Sequence, residues 1–201
     1  MSEKRPDRRL QGRYICQVLQ AMEAEIGAYS LQLMQHQAGL QPCTSRSPAP
    51  PGSIYQAAEF AALQKSIREY YGQGARGILN RVGHLVWYAI IREASTRQKV
   101  KLLVARLLPG PARCRMALEV LATTLRELDG QITLHGSDDE WTLVDQSSAS
   151  TYKQTTENPI CWLTMGEIQA ALAWAGRGVC DVEEIACRAA GNDTCKFRIL
   201  L

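Results

Sequence analysis

The spacing of the apolar residues changes once along this chain, and that change constrains the fold more than any other feature. Across residues 14–128 the apolar positions recur three or four residues apart, which is helical spacing. Residues 131–135 and 141–145 instead alternate apolar and polar positions on either side of the turn sequence GSDDE, which predicts an antiparallel hairpin. Helices followed by an antiparallel sheet predict an α+β fold, with N-terminal helices and further helices covering one face of the sheet.

Glycine and proline divide the chain into segments. The pattern predicts two short helices over residues 14–39 that Gly27 separates, and further helices at 55–71, 75–94, 100–108, 113–128 and 165–175. Residues 151–154 are read as one more strand, and residues 179–187 and 196–200 as a closing hairpin, so that the strands form a meander.

With 201 residues, the chain is long enough for one compact domain with a substantial core. We expect a tail at residues 1–9, a helical segment at 10–40, a loop at 41–54 and a core at 55–201 that ends in the closing hairpin. The loop is predicted because residues 41–54 hold four prolines, which can form neither helix interiors nor central strands.

The composition excludes several classes of protein. The hydrophobic fraction is 46% and the charged fraction 21%, which argues against a disordered or membrane-spanning chain. The net charge of +3 is too small for a nucleic-acid-binding surface. The chain begins without the apolar stretch of a secretory signal, so we expect a cytoplasmic protein with reduced thiols.

No motif predicts catalysis. Residues 72–77 match the glycine pattern of dinucleotide sites, but a helix precedes them where that site needs a strand. The three histidines, His36, His84 and His135, lie in no nucleophile motif. We therefore predict no catalytic residues, and we expect a binding protein rather than an enzyme.

The seven cysteines are an odd number, so a disulfide framework would leave one unpaired, whereas a metal site can use three. The closing hairpin brings Cys187 and Cys195 together, because Gly191 supplies the positive φ of its turn, and Cys161 at the start of a helix can reach the same place. With Glu184 these residues would surround a tetrahedral Zn²⁺. The alternative is a set of buried free cysteines, since cysteine behaves as a small hydrophobe.

A fixed spacing links the C-terminal residues Cys161, Trp162, Gly166, Val182, Glu183, Glu184, Cys187, Gly191, Cys195 and Phe197. This spacing resembles the C-terminal signature of the 4-vinyl reductase domain family. In relatives that act as aromatic-sensing input domains of bacterial transcription activators, the corresponding residues bind zinc. The resemblance therefore implies a structural zinc ion held by Cys161, Glu184, Cys187 and Cys195.

The resemblance also implies a fold similar to transport-particle subunits and a homodimer built with N-terminal helices, which residues 10–40 would supply. The family shares a small-molecule pocket, so the expected function is binding or sensing of a hydrophobic or aromatic ligand, with an unidentified signalling protein as a further partner. The alternative is an enzyme or accessory factor of tetrapyrrole 4-vinyl reduction in bacteriochlorophyll synthesis. That reaction needs a hydride or electron source for which the sequence shows no motif.

A ligand pocket is expected between the sheet and the central helix, where aromatic side chains meet a few polar groups. Its candidate residues are His84, Trp87, Tyr88, Trp141 and Trp162. The sensor relatives line their pocket with a histidine and a tryptophan, and Trp141 matches that tryptophan in chain order. The alternative for each of the five is an ordinary place in the core, which large aromatic side chains often fill.

Overall fold

A computed structural model describes residues 9–40, 54–129, 131–136, 140–177 and 181–200. These residues form seven α-helices and six strands. The helices are α1 (Gly12–Ile26), α2 (Ala28–Gln37), α3 (Ala57–Tyr71), α4 (Ala75–Glu93), α5 (Thr96–Ala105), α6 (Gly110–Asp129) and α7 (Trp162–Trp174). The strands are β1 (Arg9–Gln11), β2 (Ile54–Gln56), β3 (Ile132–Gly136), β4 (Glu140–Asp145), β5 (Val182–Ala186) and β6 (Cys195–Leu200).

The α+β class predicted from the sequence is confirmed, and the local signals that set the helix ends are visible. Gly27 separates α1 from α2 with a φ of 81°. At the start of α3, Glu59 accepts a hydrogen bond from the backbone N–H of Gln56, which caps the helix. Gly72 ends the same helix with a φ of 52°, a conformation that glycine adopts without strain.

The main sheet has the strand order β3-β4-β6-β5, and all its pairs are antiparallel. The predicted meander is therefore wrong, because β6 lies between β4 and β5 instead of following β5 at the edge. Alternate residues of β6 are buried, Cys195, Phe197 and Ile199, while the residues between them are exposed. One face of the sheet is thus covered, as the alternating pattern predicted.

Two further differences concern short segments. Residues 151–154 are not a strand: Ala149–Thr151 form a single 3-10 turn, and Lys153 follows with a φ of 54°. Strands β1 and β2 pair with each other, although the sequence analysis placed residue 9 in a tail and residue 54 in a loop. Three-residue strands are too short to show a period. Residues 1–8 and 41–53 of the predicted tail and loop lie outside the described residues.

The helical layer is built around the crossing of α4 and α7. A Cβ atom at Gly83 would overlap the backbone of Leu163, and one at Gly166 would overlap the backbone of Asn80, so these glycines let the two helices touch. Helix α1 packs on α4 with Ile15 and Leu19 fully buried. Among the described residues, none of the helices combines the length and apolarity that a bilayer-spanning helix needs.

Candidate metal centre and adjacent cavity

Three elements bring Cys161, Glu184, Cys187 and Cys195 together. Cys161 is the residue before α7, Glu184 lies in β5, Cys187 follows that strand, and Cys195 begins β6. Gly191 turns the chain between Cys187 and Cys195 with a φ of 90°, as the sequence predicted. Pairing of β5 with β6 then fixes the two cysteines side by side.

The four side chains form a compact, buried cluster that could hold a metal ion. Their ligand atoms all lie within 4.8 Å of one another. The Sγ atoms of Cys161 and Cys195 are 3.5 Å apart. A tetrahedral site with metal–sulfur bonds of about 2.3 Å has sulfur–sulfur edges of about 3.8 Å, so the cluster has nearly that size. We call these four residues the Cys₃Glu cluster.

Glu184 presents one carboxylate oxygen without a partner. Its Oε2 atom accepts a hydrogen bond of 2.9 Å from the backbone N–H of Cys161. Its Oε1 atom is buried and has no hydrogen-bond partner among the described residues. Burial raises the pKa of this carboxyl group to about 8. A buried carboxylate that lies beside three cysteine sulfurs and has one unpartnered oxygen fits a metal ligand, because coordination would satisfy that oxygen.

The three thiols perturb one another. Hydrogen bonds from Cys161 and Cys195 lower the pKa of Cys187, so Cys187 is the group that gives up its proton first. Cys161 donates to Cys187, which raises its own pKa well above the usual value, and burial adds to the shift. The hydrogen bond with Cys161 lowers the pKa of Cys195, but its bond to Cys187 and its burial raise it more, to about 12. Without a cation, the site therefore resists further thiolate formation.

Arg68 of α3 supplies positive charge near the cluster. Burial lowers the pKa of this guanidinium, and attraction to Cys161, Glu69 and Cys187 opposes that shift. Its Nη2 atom donates a hydrogen bond of 3.0 Å to Gln154 Oε1, while Nη1 is buried without a hydrogen-bond partner among the described residues. Arginine keeps its charge under such conditions, so Arg68 offsets part of the negative charge that three thiolates and a carboxylate would carry.

A small cavity lies beside the cluster. It has a volume of about 40 Å³ and is lined by Leu10, Gln11, Tyr14, Phe60, Leu125, Ile132, Asp145, Ser148, Ala149, Ser150 and Thr164. Ser148 joins the two features, because its Oγ atom is 3.8 Å from the Sγ atom of Cys161. A group that enters the cavity would therefore lie one side chain away from the Cys₃Glu cluster.

Behind the cavity lies a second buried acid, Glu167 of α7. Its Oε1 atom accepts a hydrogen bond of 2.8 Å from the hydroxyl of Tyr14, which lines the cavity. Its Oε2 atom has no hydrogen-bond partner within the described part of the chain. Burial raises the pKa of Glu167 to about 8 against the opposing effect of the Tyr14 bond. Burial therefore favours the protonated form of this acid.

The five aromatic and histidine residues predicted for a pocket lie on three elements, with His84, Trp87 and Tyr88 on α4, Trp141 on β4 and Trp162 at the start of α7. Trp87 of α4 is fully buried and makes an edge contact with Trp174 of α7. Tyr88, the next residue of α4, is 52% exposed. Trp141 is buried in β4 beneath the guanidinium of Arg115. His84 and Trp162 are half-buried. None of the five lines the cavity described above.

Sequence reasoning missed the polar residues of this region, namely Tyr14, Asp145 and Glu167. One signal was available, since Glu167 is the only charged residue in the thirteen residues of α7. Tyr14 and Asp145 occupy ordinary positions in an amphipathic helix and an alternating strand. Of the other described cysteines, Cys16 lies in α1 and Cys114 in α6, and neither is part of the cluster. Cys43 and Cys180 lie outside the described residues.

The fold is similar to that of solved H-NOX proteins. The Fe(II) unliganded H-NOX protein from K. algicida is 11% identical, with a TM-score of 0.60 over 95% of this chain and 96% of that chain. The H-NOX protein from S. oneidensis in the Fe(II)NO state is 12% identical, with a TM-score of 0.61 over 94% and 98%. An oxygen binding H-NOX domain related to soluble guanylate cyclases is 14% identical, with a TM-score of 0.57 over 95% and 94%.

A comparison with curated protein sequences finds no significant match. The family model of the 4-vinyl reductase domain matches residues 142–201, which include α7, β5, β6, most of β4 and the whole Cys₃Glu cluster. This match confirms the family resemblance that the cysteine and glycine spacing indicated. Residues 142–201 of this chain are therefore similar to the 4-vinyl reductase domain family.

Proposed function

We propose that this chain is a domain that binds or senses a small hydrophobic or aromatic molecule, and that a structural zinc ion stabilises it. The observation that carries the proposal is the position of Ser148, which lines the cavity and contacts Cys161 of the Cys₃Glu cluster. Through this side chain, occupation of the cavity would change the surroundings of the metal centre. The match of residues 142–201 to the 4-vinyl reductase domain supports the same function.

The donor set favours zinc. Soft thiolate ligands select zinc among the available divalent ions, and three cysteines with one carboxylate complete a tetrahedron. Such a site leaves no position for water or substrate, so its role would be structural. The ion would join the start of α7 to β5 and β6, and it would take the place of the thiol protons in the cluster.

The cavity lining suggests the chemistry of the ligand. Its apolar residues include Leu10, Phe60 and Ile132. Most of its polar side chains both donate and accept hydrogen bonds, and the Asp145 carboxylate is its strongest acceptor. An apolar molecule that carries a hydroxyl or amino group would satisfy both. The volume of about 40 Å³ is far below that of ligand pockets, which are about 300–1,000 Å³, so binding requires the cavity to expand. The short strand β1, which carries Leu10, is the element best suited to move.

One of the similar structures was solved to probe haem distortion in the H-NOX family. The residues that line the cavity beside the Cys₃Glu cluster do not fit a haem group. Haem iron is held by a histidine, cysteine, methionine or tyrosine. Among the residues that line the cavity only Tyr14 is of these types, and its hydroxyl donates to Glu167. The histidines lie elsewhere: His36 and His135 are exposed and His84 is half-buried on α4.

Metal analysis and ligand-induced thermal shifts test the proposal. Purified protein should contain one zinc ion per chain, and phenol or cyclohexanol should raise its Tm more than benzene does, because only the first two donate a hydrogen bond. Asp145→Asn should reduce that difference, because a neutral amide oxygen is a weaker acceptor than a carboxylate. Glu140→Gln, which changes an exposed acid on the same strand, should retain it.

Three results would contradict the proposal. Protein that folds and stays stable without metal would show that the chain has no structural zinc site. Equal Tm shifts by phenol and benzene, or Tm shifts that Asp145→Asn leaves unchanged, would show that the ligand does not bind in this cavity. Native mass spectrometry that finds a retained porphyrin would favour the tetrapyrrole alternative.

A further inference from the structure

Helix α5 carries an apolar stripe that faces away from the protein. Val100, Leu103 and Val104 of α5 and Leu107 of the turn that follows it have the spacing i, i+3, i+4, i+7 of one helix face. The turn continues the helical path, because the backbone N–H of Leu107 donates to the carbonyl of Val104 at 3.0 Å. Their exposed fractions are 55%, 65%, 45% and 85%. Leu102 and Ala105 lie on the opposite side, where they are buried. We call the four exposed residues the α5 stripe.

Well-formed contacts hold the helix that presents the stripe. Ser95 caps its first turn, since its Oγ atom accepts the backbone N–H of Gln98 and its own N–H donates to Gln98 Oε1 at 3.0 Å. The Gln98 amide also donates to Thr124 Oγ1 of α6 at 3.2 Å. The stripe is therefore on an ordered, capped helix that packs against α6 by its other face.

The charges around the stripe have one sign. Residues 94–118 hold six Lys and Arg residues and no Asp or Glu. By helical geometry, Arg97 and Lys101 flank one side of the stripe, and Lys99 and Arg106 flank the other. Among the described residues, no ion pair joins Arg97, Lys99 or Lys101 to an acid. An apolar seam flanked by unpaired cations is complementary to an apolar seam flanked by acids.

We propose that the α5 stripe is the docking surface for a helix of a partner protein whose apolar residues are flanked by Asp and Glu. A second copy of this chain would place four cations against four cations, which opposes symmetric pairing through this face. Helices that bind membrane surfaces often bury Trp or Phe among their apolar residues, and the stripe has only Val and Leu, so a membrane is the poorer fit. The i, i+3, i+4, i+7 spacing of the stripe instead matches that of the apolar residues through which one helix packs against another.

The docking surface also touches the helix that begins at the metal centre. The guanidinium of Arg106 lies 5.9 Å from the ring centre of Trp174, the last residue of α7. Cys161 immediately precedes the first residue of that helix. A partner on α5 would therefore contact a side chain whose position depends on α7, so a shift of α7 would change the docking surface.

Fluorescence anisotropy with designed peptides tests this assignment. The probe is a labelled helical peptide with leucines at i, i+3, i+4 and i+7 flanked by Glu, and the matched control peptide has Lys in place of each Glu. The full chain should bind the Glu peptide, more weakly as salt increases, and should not bind the Lys peptide. Leu103→Gln with Leu107→Gln should weaken binding at least about tenfold. Both side chains are exposed, so the variant should keep the wild-type Tm and metal content.

The matched protein control is Tyr29→Gln with Leu33→Gln, which alters two exposed apolar residues of α2 and should bind like wild type. No saturable binding of the Glu peptide, or equal binding by the α5 variant, would overturn the proposal. It would also fail if the α5 variant lost binding to phosphatidylserine vesicles, or lost a dimer in sedimentation equilibrium, since the stripe would then serve a membrane or a second copy.

Discussion

Two buried glutamates, Glu184 and Glu167, look alike by themselves and differ in their neighbours. Burial raises the pKa of each to about 8, and each has one carboxylate oxygen without a hydrogen-bond partner among the described residues. Glu184 faces three cysteine sulfurs, whereas Glu167 faces the hydroxyl of Tyr14 and the field of Asp145. Burial and a shifted pKa therefore do not identify a metal ligand, and the surrounding donor atoms do.

The difference also determines how each acid remains buried. A carboxylate in a protein interior needs a compensating charge, or it binds a proton and becomes neutral. We expect a metal ion to compensate Glu184, with Arg68 offsetting the remaining negative charge. Glu167 has no cation among its contacts in the described part of the chain, so it is neutralised by its proton.

The largest expected effect comes from the cysteines of the cluster. Cys187→Ser or Cys195→Ser should remove zinc and lower the Tm strongly or cause aggregation, because structural zinc sites contribute about 10 kcal/mol or more of binding free energy to folding. Metal analysis and thermal unfolding measure both effects. The control is Cys16→Ser, which changes a half-buried residue of α1 outside the cluster. This variant should keep its zinc. Wild-type stability of both Cys187→Ser and Cys195→Ser would contradict a structural zinc ion at the cluster and favour a set of buried thiols.

The two glutamates can then be compared directly. Glu184→Gln should weaken zinc binding by about tenfold or more, because a neutral amide replaces a charged ligand. Glu167→Gln should leave zinc affinity unchanged, since no metal-binding group of the Cys₃Glu cluster contacts that side chain. Competition with a chromogenic chelator measures both constants. Equal losses in the two variants would mean that burial alone, and not the sulfur neighbours, governs the metal site.

The smallest expected effect is a pH dependence from Glu167. Its folded pKa of about 8 lies above the ordinary value of 4.5, so its contribution to stability is complete below about pH 4.5 and is lost as the pH rises toward 8. Glu167→Gln cannot lose a proton and still accepts the Tyr14 hydrogen bond. Between about pH 5 and pH 8, the variant should therefore gain more than about 1 kcal/mol of stability relative to wild type.

Urea unfolding of both proteins across that range provides the measurement, and the metal site contributes equally to each curve. A difference in unfolding free energy that stays constant with pH would show that Glu167 is ionised in the folded protein. Its environment would then resemble that of Glu184 more closely than the structure indicates.

Local patterns predicted those parts of the fold that depend on neighbours in sequence. The helices were predicted because their apolar spacing and their glycine ends are local features, as at Gly27 and Gly72. The placement of β6 between β4 and β5 was not, because strand order depends on long-range pairing that no short segment encodes. The β1–β2 pair joins residues more than forty positions apart and was missed for the same reason.

The site divides in the same way. The sequence by itself determined that Cys187 and Cys195 meet, because Cys187, Gly191 and Cys195 lie within nine residues and a hairpin turn is a local structure. The family resemblance supported adding Cys161 and Glu184 to the expected ligand set. Only the tertiary structure decided that Ser148 links this cluster to a cavity, that Tyr14 meets Glu167 across 153 positions, and that the α5 stripe faces outward. These contacts arise when helices and sheet pack, and side chains far apart in sequence then share one low-dielectric interior or one exposed surface.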